Sequence, residues 1–187
     1  GDRDRVKALP DLKTPCGAIF SPCGLYRPVL WRWWGPGTSF LHICGLNPST
    51  ATATEDDPTI RREIDFAKRF GYDGLIKTNA FDFRATDPKV MSRHAKPNSD
   101  DNDEWIYAVS CMAAGPGVAA WGVHGLHMNR AARLMECYEW RCFGKTKDGH
   151  PRHPLYLKKT TVLVPFNTHR ESHDADARND RNHLKIS

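Results

Sequence analysis

Short apolar runs that stop abruptly at a polar or glycine-rich loop recur along the chain, and each sets up a predicted strand end. Phe40, Leu41, Ile43 and Cys44 form the first run, which breaks into Gly45-Leu46-Asn47-Pro48-Ser49-Thr50. An apolar run of this length predicts a buried strand, with Gly45 and Pro48 ending it. An acidic, Thr-rich loop follows. Asp57-Pro58-Thr59 then reads as a helix start, with Asp57 as N-cap and Pro58 at the first helical position. Helical spacing of Ile60, Ile64, Ala67 and Phe66/Phe70 continues it to a Gly71 cap. Residues 74–81 (GLIKTNAF) predict a second strand running into Asn79, Asp82, Arg84, Thr86 and Asp87. A helix between two strands predicts a parallel, right-handed βαβ unit, with both polar loops at one edge of the sheet.

Further along, the polar stretch 89–103 reads as a loop, 104–114 as a helix, 118–122 (VAAWG) as a third strand and 126–138 as another helix. Residues 145–150 (KTKDGH) form a turn, followed by the Pro-bracketed PRHPLYL at 151–157. The pattern predicts an α/β fold: a three-layer α/β/α sandwich with a mainly parallel central sheet. One domain is expected over 1–165, with 1–24 as an extended arm or short strands and 166–187 as a polar tail. Residues 25–34 (LYRPVLWRWW) hold three of the six tryptophans. Interleaved with Arg27 and Arg32, they read either as a lid of core aromatics or as a surface that stacks on bases.

Composition narrows the function classes. The chain has 187 residues, 40 % of them hydrophobic, with no run near the length that spans a bilayer. Its charged beginning lacks the apolar segment of a signal peptide, so a cytoplasmic protein without membrane contact is expected. Cys16, Cys23, Cys44, Cys111, Cys137 and Cys142 show no metal-knuckle spacing and read as reduced thiols, and neither metal nor cofactor is expected. The net charge of +5 is matched by residues 121–160 alone, where eight Lys and Arg face three acidic residues. A local basic surface suits a polyanion such as nucleic acid.

The strand-end loops supply the candidate chemistry, at the place where open α/β sheets bind ligands. Asn47 can hold a water through its carboxamide, and Asn79 can read a planar amide edge with two hydrogen bonds, as Asn reads adenine. His153, between two prolines in a basic segment, can donate to a phosphate or a departing anion. Each also has a plain structural reading: loop caps for the two asparagines, a surface turn for the histidine.

The ordered set carries a resemblance. GLNPS after an apolar strand resembles the GINPG motif of mismatch-specific uracil and thymine glycosylases, within the uracil-DNA glycosylase superfamily. LIKTNAFDFR is similar to that superfamily's second strand, VAAWGVHG to its third motif, and PRHPLYL to its histidine-containing loop. More closely, GLNPSTA, DDPTIRR, FGYDGL, RATDP and RHPLYL resemble a bacterial and phage family of unknown function.

The resemblance implies a monofunctional DNA glycosylase that flips a base out of a duplex and leaves an abasic site. By that likeness Asn47 positions the water, Asn79 reads the base and His153 supports the leaving group, while Ser49 and Thr50 hold phosphate or water. Asp57 or Asp56 is the carboxylate that assists, unless Asp57 serves only as a helix cap. Phe81, Arg84, Arg61, Trp121, His124 and Arg152 are the remaining base or DNA contacts, with Leu155-Tyr156 as an inserting wedge. The long polar loops suit a hydroxyl-rich group, so the expected target is a hypermodified base, such as glucosylated hydroxymethylcytosine in phage DNA, excised by a monomer in antiviral defence. The competing readings are a non-catalytic reader of modified DNA, a uracil or thymine mismatch glycosylase, and a hydrolase of free nucleosides.

Overall fold

A computed structural model describes residues 14–167; the expected tail beyond 167 and most of the N-terminal arm lie outside them. The chain forms a mixed α/β fold around one seven-stranded sheet, ordered β1-β2-β4-β3-β5-β6-β7. The strands are β1 (Cys16–Ile19), β2 (Val29–Trp33), β3 (Phe40–Gly45), β4 (Gly74–Asn79), β5 (Gly117–Ala119), β6 (Trp140–Cys142) and β7 (Val164–Asn167). The pairings β4 with β3, β3 with β5 and β5 with β6 are parallel. Those of β1 with β2, β2 with β4 and β6 with β7 are antiparallel. The sheet is therefore mixed, not mainly parallel: the expected parallel centre is flanked by antiparallel strands on both sides.

β3 and β4 are buried along their whole length, as interior parallel strands are. Their register sets Leu41 beside Leu75 and Gly45 beside Asn79, so the two strands end level. Helix α1 (Pro58–Arg69) connects them. Asp57 caps it by accepting from the Ile60 N–H at 2.8 Å, with Pro58 in the first turn. Its end is a Schellman motif, in which Gly71 takes φ 84° while Gly71 N–H and Tyr72 N–H donate to Lys68 and Ala67 carbonyls. Phe66 and Ala67 of α1 pack with Leu41, Ile43, Leu75 and Val118. The alternate residues Phe40 and Ile76 pack with Val29, Trp31 and Val109 of helix α3 (Asn102–Met112). Strand alternation puts these two clusters on opposite sides of β3 and β4.

Several expected elements shift. The 89–103 loop contains a short helix, α2 (Pro88–Arg93), capped by Asp87 accepting from Lys89 N–H at 2.8 Å. The third strand begins and ends earlier than expected, at Gly117 and Ala119. The expected 126–138 helix is a 3-10 segment (Val123–Asn129) followed by α4 (Arg130–Cys137). Positive φ at Met128 and Asn129 breaks the two apart. β7 runs through Asn167, past the boundary expected after 165.

The aromatic segment holds β2, and its arginines face inward rather than offering a base-stacking surface. Arg32 is 6 % exposed and its guanidinium donates to Asp56 at 2.7 Å and to the Thr52, Ala53 and Glu55 carbonyls. Arg27, also buried, donates to the Ala51 carbonyl at 2.6 Å. Two arginines thus brace the long loop between β3 and α1, which forms one wall of the site described next.

Candidate functional site

Where β3 and β4 end level, the chain leaves them into separate polar loops, and a cavity of about 270 Å³ opens at their carboxyl ends. It brings together Asn47 and Ser49 from the loop after β3, Asp57 at the α1 cap, Asn79 at the end of β4, and His153 with Leu155. Asn47 and Asn79 meet because the parallel register aligns the ends of β3 and β4, and the loop after β6 brings His153 and Leu155 to the same place.

Asn79 is the most telling member. It is 1 % exposed, and among the described residues neither its Nδ2 nor its Oδ1 has a hydrogen-bond partner. A buried carboxamide left unpaired costs about 1–3 kcal/mol per group, so such a residue needs an explanation. Its main chain, in contrast, is fixed. Asn102 Nδ2 donates to the Asn79 carbonyl at 3.0 Å, and Arg130 Nε donates to the Ala80 carbonyl at 2.7 Å.

Asn47 is held the other way, by its side chain. Its Nδ2 donates to the carbonyls of Ala85 at 2.8 Å, Pro48 at 3.1 Å and Phe83 at 3.4 Å. Three carbonyls around one atom demand the amide nitrogen there, which leaves Oδ1 as a free acceptor. Asp57 accepts from Ile60 N–H at 2.8 Å and Ala51 N–H at 3.4 Å, so it serves as a helix cap and as cavity wall together. Asp56 does not reach the cavity, because it is committed to Arg32.

His153 accepts the Leu155 N–H at its Nδ1, at 3.2 Å. The residue keeps an exposed face, yet burial of the ring on the cavity side, with the Lys77 charge adding, lowers it to about 4. The imidazole is therefore neutral at pH 7, with its proton on Nε2 as a donor.

Two basic residues that sequence reasoning did not assign to the site also line the cavity: Arg27 and Lys77. Burial lowers Arg27 to about 10, so it stays cationic at neutral pH, and its Nε is buried with no partner among the described residues. Lys77, 5 % exposed, pairs with Glu63, which is fully buried in α1. Both were legible in principle. Lys77 interrupts an apolar strand two residues before Asn79, hence on the same face, and Glu63 sits among Ile60, Phe66 and Ala67 on the buried stripe of its helix.

The other expected contacts lie outside the cavity. Phe81 and Trp121 are core residues, packed on His127 and Trp140. Arg84 donates to the Gly24 carbonyl at 3.0 Å and covers Phe20, while Arg61 donates to the Asp56 carbonyl at 2.9 Å. Thr50, His124 and Arg152 are exposed and do not line it. Tyr156 projects next to the cavity residue Leu155, 94 % exposed and at φ 70°. Among the described residues no group of three or more His, Cys, Asp or Glu could hold a metal ion, and the six cysteines are free. No helix among them is long and apolar enough to cross a membrane.

Fold and site together define a mixed α/β protein with a polar cavity at the carboxyl ends of its central parallel strands. The chain belongs to the family described as protein of unknown function DUF1643, whose model matches residues 27–155, well over half of its length. No match is found among curated proteins or among solved structures. The uracil-DNA glycosylase likeness therefore rests on the motifs alone.

Proposed function

We propose that this protein is a monofunctional DNA glycosylase and that the strand-end cavity receives a base flipped out of a duplex. The observation that carries the reading is Asn79, a buried carboxamide with both polar atoms unpartnered, facing the same cavity as Asn47 and His153. A pyrimidine or modified pyrimidine would satisfy it through a donor and an acceptor on one edge. We read the helices on either side of β3 and β4 as the outer layers of an α/β/α sandwich of the uracil-DNA glycosylase type.

In this reading Asn47 Oδ1 accepts from a water and aims its oxygen at C1′ of the sugar. The water oxygen bonds to C1′ as the C1′–N bond breaks, and the bond's electron pair leaves with the base. Solvent takes the water's proton and the base is protonated in turn. Neutral His153 donates from Nε2 to the departing base or to a flanking phosphate. Asp57 steadies the developing positive charge on the sugar without leaving its capping position. Tyr156, held out in solvent beside the cavity, fills the gap in the stack. Ser49, Thr59 and Thr86 put hydroxyls on the cavity wall, which suits a sugar-decorated base such as glucosylated hydroxymethylcytosine and a role in defence against phage.

The test is incubation with duplexes carrying uracil, a thymine mismatch or glucosylated hydroxymethylcytosine, followed by alkali. Strand breaks at the modified position, abolished by Asn47→Ala, are expected. Salt-sensitive DNA binding with no break on any duplex would replace the glycosylase by a non-catalytic reader.

A further inference from the structure

Lys77 is an unusual residue for its place. It belongs to a strand buried on both sides, yet it carries a charge into the cavity wall. Its ammonium donates one hydrogen bond to Glu63, and among the described residues it has no other acceptor. Gly45, opposite Asn79 in the register, makes the room. A Cβ there would stand 2.6 Å from Lys77 Nζ and 3.0 Å from Asn79 Oδ1. The ammonium and the unpartnered carboxamide thus share the space above Gly45.

We propose that Lys77 makes this cavity an anion-selective heterocycle site: it receives the negative charge of a ring whose edge Asn79 reads, with Glu63 as the residue that positions it. The inference rests on the base-binding reading of the cavity. It adds a group to the chemistry, because a leaving base departs with the electron pair of the broken bond, and a fixed ammonium near that ring stabilises it without reorganisation.

The surroundings are consistent with this division of labour. Glu63 holds Lys77 from α1, and burial of Glu63 raises its pKa. Asp57 is occupied by the Ile60 and Ala51 N–H groups. Arg27 is turned to the Ala51 carbonyl, and His153 faces the cavity neutral, its own protonation opposed in part by the Lys77 charge. Lys77 is thus a cavity cation with uncommitted donors that shares the space above Gly45 with Asn79.

The experiment needs no DNA and no turnover. Binding of 5-nitrouracil, whose ring ionises near neutral pH, is measured on the full chain by calorimetry between pH 5 and 8. Thymine, which stays neutral there, is the reference, and inorganic phosphate is a third probe. Wild-type affinity for 5-nitrouracil is expected to rise several-fold with pH, in step with its anionic fraction, while that for thymine stays flat. Lys77→Arg should keep the rise. Lys77→Met combined with Glu63→Gln, which leaves no unpaired buried charge, should abolish it. A rise that survives the double variant, a flat wild-type profile, or no pyrimidine binding would each overturn the proposal. Lys77-dependent phosphate binding tighter than that of 5-nitrouracil would overturn the heterocycle assignment. A protein that shows the rise but cuts no DNA would retain the anion site and lose the glycosylase.

Discussion

The two ends of the parallel strands carry cavities of opposite character. At the amino ends, a hollow of about 480 Å³ is lined by Ser39, His42, Tyr72 and Arg141 among others. It is larger than the 270 Å³ cavity at the carboxyl ends, yet these four side chains are already hydrogen-bonded. His42 Nε2 bonds Thr78 Oγ1 at 2.7 Å, and Ser39 Oγ donates to the nearby Asp73 at 2.8 Å. Arg141 donates to the Pro116 carbonyl at 3.0 Å and to Tyr72 Oη at 3.3 Å. At the carboxyl end the Asn79 carboxamide and Arg27 Nε lack partners among the described residues. Volume follows from how loops pack, whereas buried polarity without a partner costs stability and persists when something outside the chain completes it.

The sharpest way to break this contrast is Asn79→Leu. If the unpartnered amide exists for a ligand, removing it should cost at least about 100-fold in base release or ligand affinity, since a site built to hydrogen-bond loses most when that bond goes. Stability should stay level or rise by up to about 2 kcal/mol, because an unsatisfied buried group is replaced by an apolar one of similar size. Urea denaturation beside an activity or binding assay reads both. A large loss of stability would make Asn79 a structural residue and erase the difference between the two ends.

His42, which lines the amino-end hollow, should respond in the reverse sense when its partner Thr78 is changed. Thr78→Val leaves His42 Nε2 unpaired and should cost about 1–3 kcal/mol, with ligand affinity unchanged. The two residues are adjacent in β4 and point to opposite faces, so 78 and 79 form a matched pair of probes. Acid tests the same end. Burial, helped by the Lys77 charge, lowers His42 to about 3, below its ordinary 6.5. Between those values the unfolded chain binds the proton and the folded one does not, so stability falls as pH drops from 6.5 towards 3. The slope attributable to this residue is at most about 1.4 kcal/mol per pH unit. His153, exposed on its outer face, adds a smaller loss of the same sign. Denaturation midpoints at pH 7 and 4.5 should show it, and His42→Leu should flatten the curve.

Much of the site was legible because its parts obey local rules. The apolar run into Gly45, the Asp57-Pro58 cap and the Gly71 stop each follow from backbone chemistry over a few residues, and together they fix the βαβ unit that aligns Asn47 with Asn79. What stayed hidden depends on partners far away in sequence. β2 was masked by Arg27 and Arg32, whose charges look like surface until the 51–56 loop folds over them. β6 and β7 are only three and four residues long and carry too little pattern to declare a strand. Trp121 and Phe81 sit next to polar loops in sequence, but the core, not the cavity, takes their rings. Lys77 stands out as a charge in an apolar strand, but its pairing with Glu63, fourteen positions earlier, appears only in the fold.

The smallest expected effect sharpens the comparison at the cavity's rim. Tyr156 takes φ 70° and is 94 % exposed, so the chain holds a large ring in water on a strained backbone. Left-handed backbone costs a non-glycine residue about 1–2 kcal/mol, and glycine removes that cost while adding unfolded-state entropy of about 0.5–1 kcal/mol. Tyr156→Gly should therefore raise stability by up to about 1 kcal/mol. If the ring serves as the wedge beside Leu155, the same variant should weaken duplex binding several-fold and slow base release, while leaving free-pyrimidine binding untouched. Stability and DNA affinity would then move in opposite directions, as they do when strain is kept for function. A gain in stability with no change in duplex affinity would make Tyr156 a turn residue and confine the function to the cavity behind it.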